Sequence, residues 1–386
     1  MSDSCHTECE TALFRLPNKL GEGYRRDRLY YTAGTTTPPM LLVYGSYGYT
    51  GRLVAQECDR RGVDVVLAGR DGGKIDEQTE RTGFDGRVFS LDTADEVREG
   101  IEDAAAVLNC AGPFSKTHPT FVDACLAEGV DYLDITGEVG VFERLASLDE
   151  EARDAGVTLL PGVGFDVVPT DCLAASVAEE VEEPYYTAVA VRSLTSISPG
   201  TARTVVEGLG SSGVVRRDGV LEDVPPAWKT RHVDFGDGRG NVEATSMPLG
   251  DVTTAYRSTG AENIECYVAL PRPARLLART SHYTAPLLRT KPVQSLLKTV
   301  ADSLAEGPDE EERATASGYA WAEVRGEEDR RAACLRTPEP YELTARTATE
   351  ALRRVDDADA GYQTPATAFG AGFVQGFDGV EMEYTE

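Results

Sequence analysis

The chain has 386 residues, enough for two domains with their own cores, and sets 65 Asp and Glu against 38 Lys and Arg for a formal net charge of −27. Such acidity argues against binding nucleic acid or an anionic membrane through a basic face. Eight cysteines without a C-x-x-C pair indicate neither a zinc ribbon nor a disulfide framework, four scattered histidines offer no helical metal pair, and no apolar run is long enough to span a bilayer. The expectation is a cytoplasmic protein with reduced thiols and no metal centre.

Six of the 38 basic residues are lysines. Acidity with arginine in place of lysine resembles proteins of salt-loving archaea, because near molar salt the Debye length falls to about 3 Å and a dense negative surface is screened. An ordinary acidic mesophilic protein is the alternative.

Residues 1–39 hold five basic and five acidic residues, so residues 40–386 carry the whole net charge. A neutral leader on so acidic a body is expected to be disordered or an over-long gene start, with translation beginning at Met40. MLLVY (40–44) is a continuous apolar run, as in a parallel strand covered on both faces. TGRLVAQECDRRG (50–62) places Leu53, Val54 and Cys58 at helical spacing and stops at Gly62, and VDVVLAG (63–69) is a second buried strand. Strand, glycine turn, helix and strand within about thirty residues make a βαβ unit.

Gly45, Gly48 and Gly51 then have a mechanical reason. A pyrophosphate binds where helix amides point outward, and side chains there would hold the backbone too far from it. The spacing G-x-x-G-x-x-G differs from the usual G-x-G-x-x-G, so the signal lies in its context between strand and helix. Arg70 ends the second strand, where an acidic residue would receive the ribose 2′-hydroxyl of NAD and an arginine can pair with the 2′-phosphate of NADP. NADP(H) is expected over NAD(H), although Asp71 follows and could oppose the phosphate.

The rhythm continues in GRVFSLD (86–92), AAVLNCAGPF (105–114), VDYLDITGE (130–138) and GVTLLPGVGFD (156–166), separated by helical segments that include FERLASLDEEARDAG. That alternation predicts a Rossmann-type doubly wound parallel sheet over 40–166, whose ligands bind beyond the carboxyl ends of the strands. Asn109 to Phe114 puts small residues and a proline at one such end, permitting close contact with a cofactor. Cys110 there suits packing better than nucleophilic catalysis, having only Lys116 and His118 nearby in sequence. Alternation sets Tyr132, Asp134 and Thr136 on one face, with Asp134 either a structural anchor or part of a substrate pocket.

PYYTAVAVRSLTS (184–196) reads as strand, TARTVVEGLG (201–210) as helix and TAYRSTGAENIECYVAL (254–270) as further strand. A proline-broken helical stretch follows at 273–304. Its leucines 276, 277, 287, 288, 296 and 297 alternate with basic residues, as in an interfacial helix touching a membrane, although packing in a globular domain explains the same pattern. GPDEEER (307–313) reads as a solvated turn, GYAWAEVRGEEDRRAACLRTP as a hairpin, YELTARTATEALRRV as a helix and TPATAFGAGFV as a final helix. The expected second domain, 167–345, is α/β with a mixed sheet for substrate binding or dimerisation, its strands allowing a homodimer; 346–386 is expected to return to the first domain as a helical segment.

GSYGYTGRL, LAGR, NCAGPF, DYLDITGE and PGVGFDVVPTD, in that order, resemble the saccharopine dehydrogenase-like oxidoreductases, in the branch that includes the trans-acting enoyl reductases. The resemblance runs over 40–386 through SPGTARTVVE, YRSTGAENIECYVALP and GYQTPATAFG. It implies cofactor roles for Gly45, Tyr47, Gly48, Tyr49, Thr50, Gly51 and Arg70, and for Asn109, Ala111, Gly112 and Pro113. Pro199 departs from the glycine expected before the helix and puts a backbone donor there in doubt.

The expected activity is NADPH-dependent reduction of a polarised C=C bond, enoyl or isoprenoid-like, or of a C=N bond, in a small or lipid-like substrate. Tyr132, Asp134, Thr136, Glu138 and Asp166 are the reachable proton donors or anchors, led by Glu138 and Asp166, which lie past the strand ends. The apolar substrate rests on the resemblance. One alternative is a saccharopine- or opine-type amino-acid dehydrogenase, which would need arginines such as Arg192, Arg203 and Arg257 to converge on two carboxylates. Another is a non-catalytic NADP(H)-binding sensor or scaffold. No Tyr-x-x-x-Lys pair of the short-chain dehydrogenase kind occurs.

Overall fold

The computed structural model describes residues 40–193, 196–208, 211–272, 274–280, 290, 292–295, 297, 299 and 307–385. The leader lies outside them, as do Leu287, Leu288 and Leu296 of the interfacial reading, whereas Leu276 and Leu277 are 65% and 54% exposed. Among the described residues no helix is long and apolar enough to cross a membrane.

The apolar run at 40–44 forms β1 (Met40–Tyr44), central in a parallel sheet because both neighbours cover it: β2 (Val66–Gly69) on one edge and β4 (Ala104–Asn109) on the other. With β3 (Gly86–Val88), β5 (Asp131–Asp134), β6 (Thr158–Leu160) and β15 (Gly361–Tyr362), the order is β15-β6-β5-β4-β1-β2-β3. This is the expected doubly wound sheet, extended by one strand from the C-terminal segment. The chain runs outward from β1 to β3 and restarts at β4, so a crevice opens beyond the ends of β1 and β4. Helix α1 (Tyr49–Arg61) follows β1, buries Val54, Ala55 and Cys58, and ends at Gly62, whose φ of +67° suits glycine. Helices α2 (Gly72–Thr82), α3 (Ala94–Ile101), α4 (Phe114–Glu128), α5 (Val139–Ala146) and α6 (Asp149–Ala155) complete this layer.

The second sheet is mixed. Its path is β10-β11-β12-β7-β13-β14-β16, with β8 (Gly213–Arg217) joining β12 and β9 (Val220–Val224). β7 (Tyr186–Ser193) runs parallel to β12 (Asn263–Val268) and antiparallel to β13 (Ser317–Arg325). The hairpin expected at 318–338 is β13 with β14 (Arg330–Pro338). β10 (Thr230–Asp234) pairs with β11 (Asn241–Ser246). Helix α7 (Val168–Ala178) is buried on nearly every side and packs on β13, β14 and α9 (Asp251–Thr259), as a helix enclosed in a core. One hydrophobic cluster runs from Val43 and Leu67 through Leu173 and Leu343 to Val189 and Ala322, so residues 40–386 form one compact unit.

Several local expectations are corrected. Residues 254–259, read as strand, belong to α9: Val252, Ala255 and Thr259 bury one helical face, and Gly260 at φ +74° ends it. The 307–313 turn leads into a short helix, α10 (Glu310–Thr315), capped by Asp309. The helix read across 142–156 is two, α5 and α6. The helix at 341–355 is α11 (Pro340–Arg353), while the final helix stops after α12 (Pro365–Phe369) and continues as a 3₁₀ turn, Phe373–Gly376. Residues 346–386 are therefore not helical throughout: β15 extends the first sheet and β16 (Glu381–Thr385) the second, each closing an otherwise open edge.

Candidate functional site

The loop after β1 is fixed before any ligand arrives. The amides of Gly45 and Ser46 both donate to Ala68 O, at 2.8 and 3.3 Å, and Gly48 N–H donates to Gly45 O at 2.9 Å. Gly45 has φ +75°, and a Cβ at Gly51 would stand 2.4 Å from Gly45 O, so α1 can approach the turn only with glycine there. Below the loop, Ser46 Oγ donates to Gln78 Oε1 at 2.7 Å and Gln78 Nε2 donates back to Ser46 O at 2.9 Å. The N-cap of α1 is Gly48, which has no side chain to cap it, and this leaves the first amides, those of Tyr49, Thr50 and Gly51, as the natural seat of a diphosphate. Loop and helix thus fit a dinucleotide.

The opposite wall is the end of β4. Asn109 is wholly buried: its Nδ2 donates to Thr117 Oγ1 and Tyr132 Oη, and its Oδ1 accepts Ala111 N–H at 2.9 Å. Its role is to hold Ala111, against whose backbone Gly45 packs. Gly112 and Pro113 then lead into α4, with Pro113 at its N-cap position.

The four proposed acids divide sharply. Tyr132 is fully buried and donates to Asp134 Oδ2 at 2.9 Å, while Asp134 Oδ1 accepts the amides of Thr136 and Gly162 at 2.9 and 3.1 Å. Burial pushes Asp134 up to about 6 despite these bonds. Glu138 Oε1 and Oε2 accept the amides of Phe114 and Ser115, at 2.8 and 3.0 Å, and so close the N-terminus of α4. Asp166 differs from all three. The residue is exposed, yet the protein crowds around its carboxyl and that desolvation raises its pKa. A Cβ on Gly137 would come within 3.1 Å of Asp166 Oδ2, so the small residue leaves the acid its space.

The second half reaches the start of α1 through residues that sequence did not single out. Tyr341, in the first turn of α11, accepts Ser198 N–H at 2.7 Å, and its hydroxyl lies 2.9 Å from Thr201 Oγ1. Thr201 is in the first turn of α8 (Pro199–Gly208), and Ser198 immediately precedes that helix. Pro199 stands at the first position of that helix, where a missing N–H costs nothing. The Tyr341 ring meets the Tyr49 ring edge-on, 5.0 Å between centroids, and Tyr49 Oη donates to Pro308 O at 2.6 Å. Tyr49 therefore faces the cofactor position with its amide and the second half with its side chain.

At the outer end of the crevice, Arg70 is exposed after β2. Asp71 turns into α2 and caps it, and Lys74 lies beside both Asp71 and the Tyr47 ring. Sequence alone gave no reason to choose Lys74, Gln78 or Tyr341, whose partners are set by the tertiary fold. Arg192 is buried and paired with Asp237, while Arg203 and Arg257 are exposed, so Arg192 is already committed. A cavity of about 460 Å³ lined by Arg60, Arg61, Glu342 and Arg346 lies at the opposite end of α1, and carboxylates already pair these arginines. Among the described residues no group of three His, Cys, Asp or Glu could hold a metal ion.

Residues 41–160 match the family described as the saccharopine dehydrogenase NADP binding domain. A Mycobacterium tuberculosis protein named as a trans-acting enoyl reductase is 32% identical over 139 residues, covering 34% of this chain and 33% of that one. A human saccharopine dehydrogenase-like oxidoreductase is 27% identical over 206 residues, 47% of this chain and 48% of that one. A lipid droplet localized protein of Caenorhabditis elegans is 25% identical, with 48% of each chain covered. The chain thus spans from a third to about half the length of these curated relatives. Apo saccharopine dehydrogenase (L-Glu forming) from Saccharomyces cerevisiae superposes with a TM-score of 0.61 at 10% identity, over 90% of this chain and 100% of that one, a likeness of fold.

Proposed function

We propose, from the premise that residues 41–160 are a saccharopine dehydrogenase NADP-binding domain, that this chain is an NADPH-dependent oxidoreductase. Its substrate is a small or lipid-like molecule with a polarised C=C bond, enoyl or isoprenoid-like, or a C=N bond. The observation that carries the reading is the uncapped start of α1, whose Tyr49 meets Tyr341 of the second half, with Asp166 exposed past the end of β6. The bound nicotinamide supplies hydride.

The chain's residues do the rest. The amides of Tyr49, Thr50 and Gly51 hold the diphosphate, Arg70 holds the 2′-phosphate, and Ala111, Gly112 and Pro113 let the cofactor lie close to the end of β4. Asp166, its pKa raised by desolvation, is the side chain assigned to pass a proton to the atom next to the one that accepts hydride. Tyr132 and Asp134 brace the strand ends, and Glu138 fixes the α4 wall. Residues 40–166 serve the cofactor and 167–345 the substrate, while the C-terminal segment ties the two together. The amino-acid dehydrogenase alternative loses Arg192 to its ion pair with Asp237.

The test is NADPH oxidation followed by nicotinamide absorbance, in high salt, with enoyl-acyl, isoprenoid and imine substrates. Asp166→Asn should lower kcat by about 10²–10⁴-fold while binding NADPH normally. Full turnover by this variant would remove Asp166 from the role, and NADPH held unconsumed with every substrate would favour the sensor.

A further inference from the structure

The end of β2 presents contradictory chemistry. Arg70 suits a 2′-phosphate, whereas Asp71 beside it is the kind of residue that accepts a free 2′-hydroxyl and repels a phosphate. The neighbouring strand adds negative charge, since Phe89 N–H bonds Gly69 O at the end of β2 and, just beyond it, Asp92 and Glu96 share the Ser90 hydroxyl. A dianion entering this corner of a chain with net charge −27 needs more than one arginine.

The geometry resolves the conflict through Lys74. Asp71 Oδ1 accepts the Lys74 amide at 3.3 Å, capping α2, and Asp71 Oδ2 lies 3.6 Å from Lys74 Nζ. The ammonium also stands 5.3 Å from the centre of the Tyr47 ring, within the range of a cation–π contact. That ring lies close over Gly69, which leaves room for it: a Cβ there would stand 2.5 Å from Tyr47 Cε1. Tyr47 therefore forms a platform at the end of β2, and Lys74 is held between platform and carboxylate.

We propose that Lys74 determines the preference for a 2′-phosphorylated dinucleotide by neutralising Asp71. With Lys74 in place, Asp71 is a helix cap with its charge paired, and Arg70 dominates the corner. Without it, Asp71 becomes a free acceptor for a ribose hydroxyl and a repulsive neighbour for a phosphate. The inference rests on the NADP(H) reading above and assigns the residue that makes that reading compatible with Asp71.

The experiment is titration of the full chain with NADPH and with NADH, followed by nicotinamide fluorescence at one fixed salt concentration. Lys74→Met should raise Kd for NADPH about tenfold and leave that for NADH unchanged or lower. Lys74→Met with Asp71→Asn should return NADPH binding to within about threefold of wild type, because asparagine still caps α2 and carries no charge. Equal losses for both dinucleotides, no loss at all, or a double variant as weak as the single would each overturn the proposal. Arg70→Ala separates the two claims. If wild type prefers NADPH and Arg70→Ala abolishes the preference while Lys74→Met does not change it, the Lys74 assignment alone fails; if wild type prefers NADH, the 2′-phosphate reading fails with it.

Discussion

The hydroxyl of Tyr341 accepts the amide N–H of Ser198 at 2.7 Å, tying the first turn of α11 to a buried residue just before α8. Tyr341→Phe keeps the ring against Tyr49 and removes the acceptor. A buried amide without a partner costs about 1–3 kcal/mol, so the urea midpoint should fall by a corresponding amount with the m-value unchanged. An unaltered midpoint would show that the start of α8 does not depend on this bond.

Gly51 and Gly140 make a matched pair. A methyl at Gly51 meets Gly45 O at 2.4 Å, whereas at Gly140, in α5, it meets nothing within 4 Å. Gly51→Ala should weaken NADPH binding by at least about tenfold, by lifting the α1 amides away from the turn. Gly140→Ala should leave binding unchanged and stabilise the fold by about 0.5–1 kcal/mol. Equal affinities in the two variants would contradict the close approach of α1 to its loop.

Glu323 is buried among three arginines, accepting from Arg231 and Arg325 on Oε1 and from Arg330 on Oε2. Burial alone would raise its pKa, but these partners outweigh it and hold the carboxyl below its ordinary value. Such a group contributes stability above the unfolded pKa and loses it as pH falls through the folded one. Glu323→Gln should cost about 3 kcal/mol in guanidinium unfolding at neutral pH, the low end for a broken buried pair because Arg325 and Arg330 keep contact with water. The difference from wild type should shrink on acidification, and a pH-independent difference would argue for a steric origin.

Asp134 gives the opposite sign. Its folded pKa of about 6 exceeds the ordinary 3.8, so between those values the folded state binds more protons than the unfolded one. Stability attributable to this carboxyl therefore falls as pH rises from about 4 to about 6 and is level above, by at most about 3 kcal/mol. Asp134→Asn, which keeps Oδ1 for the amides of Thr136 and Gly162, should remove that slope. A variant with the wild-type pH profile would show that Asp134 does not titrate in this window.

The parallel sheet and its glycine turn were legible because their signals are local. The apolar run of β1, the spacing of Val54 and Cys58 and the stop at Gly62 all lie within one βαβ unit. The α9 helix was missed because its threonines favour strand, and only packing against α7 decides the matter. Site roles were legible to the level of position but not of partner. Glu138 lies past the end of β5 as expected, yet the groups it accepts from are amides at Phe114 and Ser115, more than twenty residues earlier. Asp134 could be read as an anchor or a pocket residue until its two oxygens were seen to face inward. Tyr341 and Lys74 carry no sequence signature, since what matters about them is contact with Ser198 and Asp71.

The most direct measurement is a crystal structure of the protein with NADPH. The account predicts a diphosphate within hydrogen-bonding distance of the amides of Tyr49, Thr50 and Gly51, a 2′-phosphate on Arg70 and the nicotinamide toward Asp166. A dinucleotide bound elsewhere, or a loop that cannot admit one at millimolar NADPH, would contradict it.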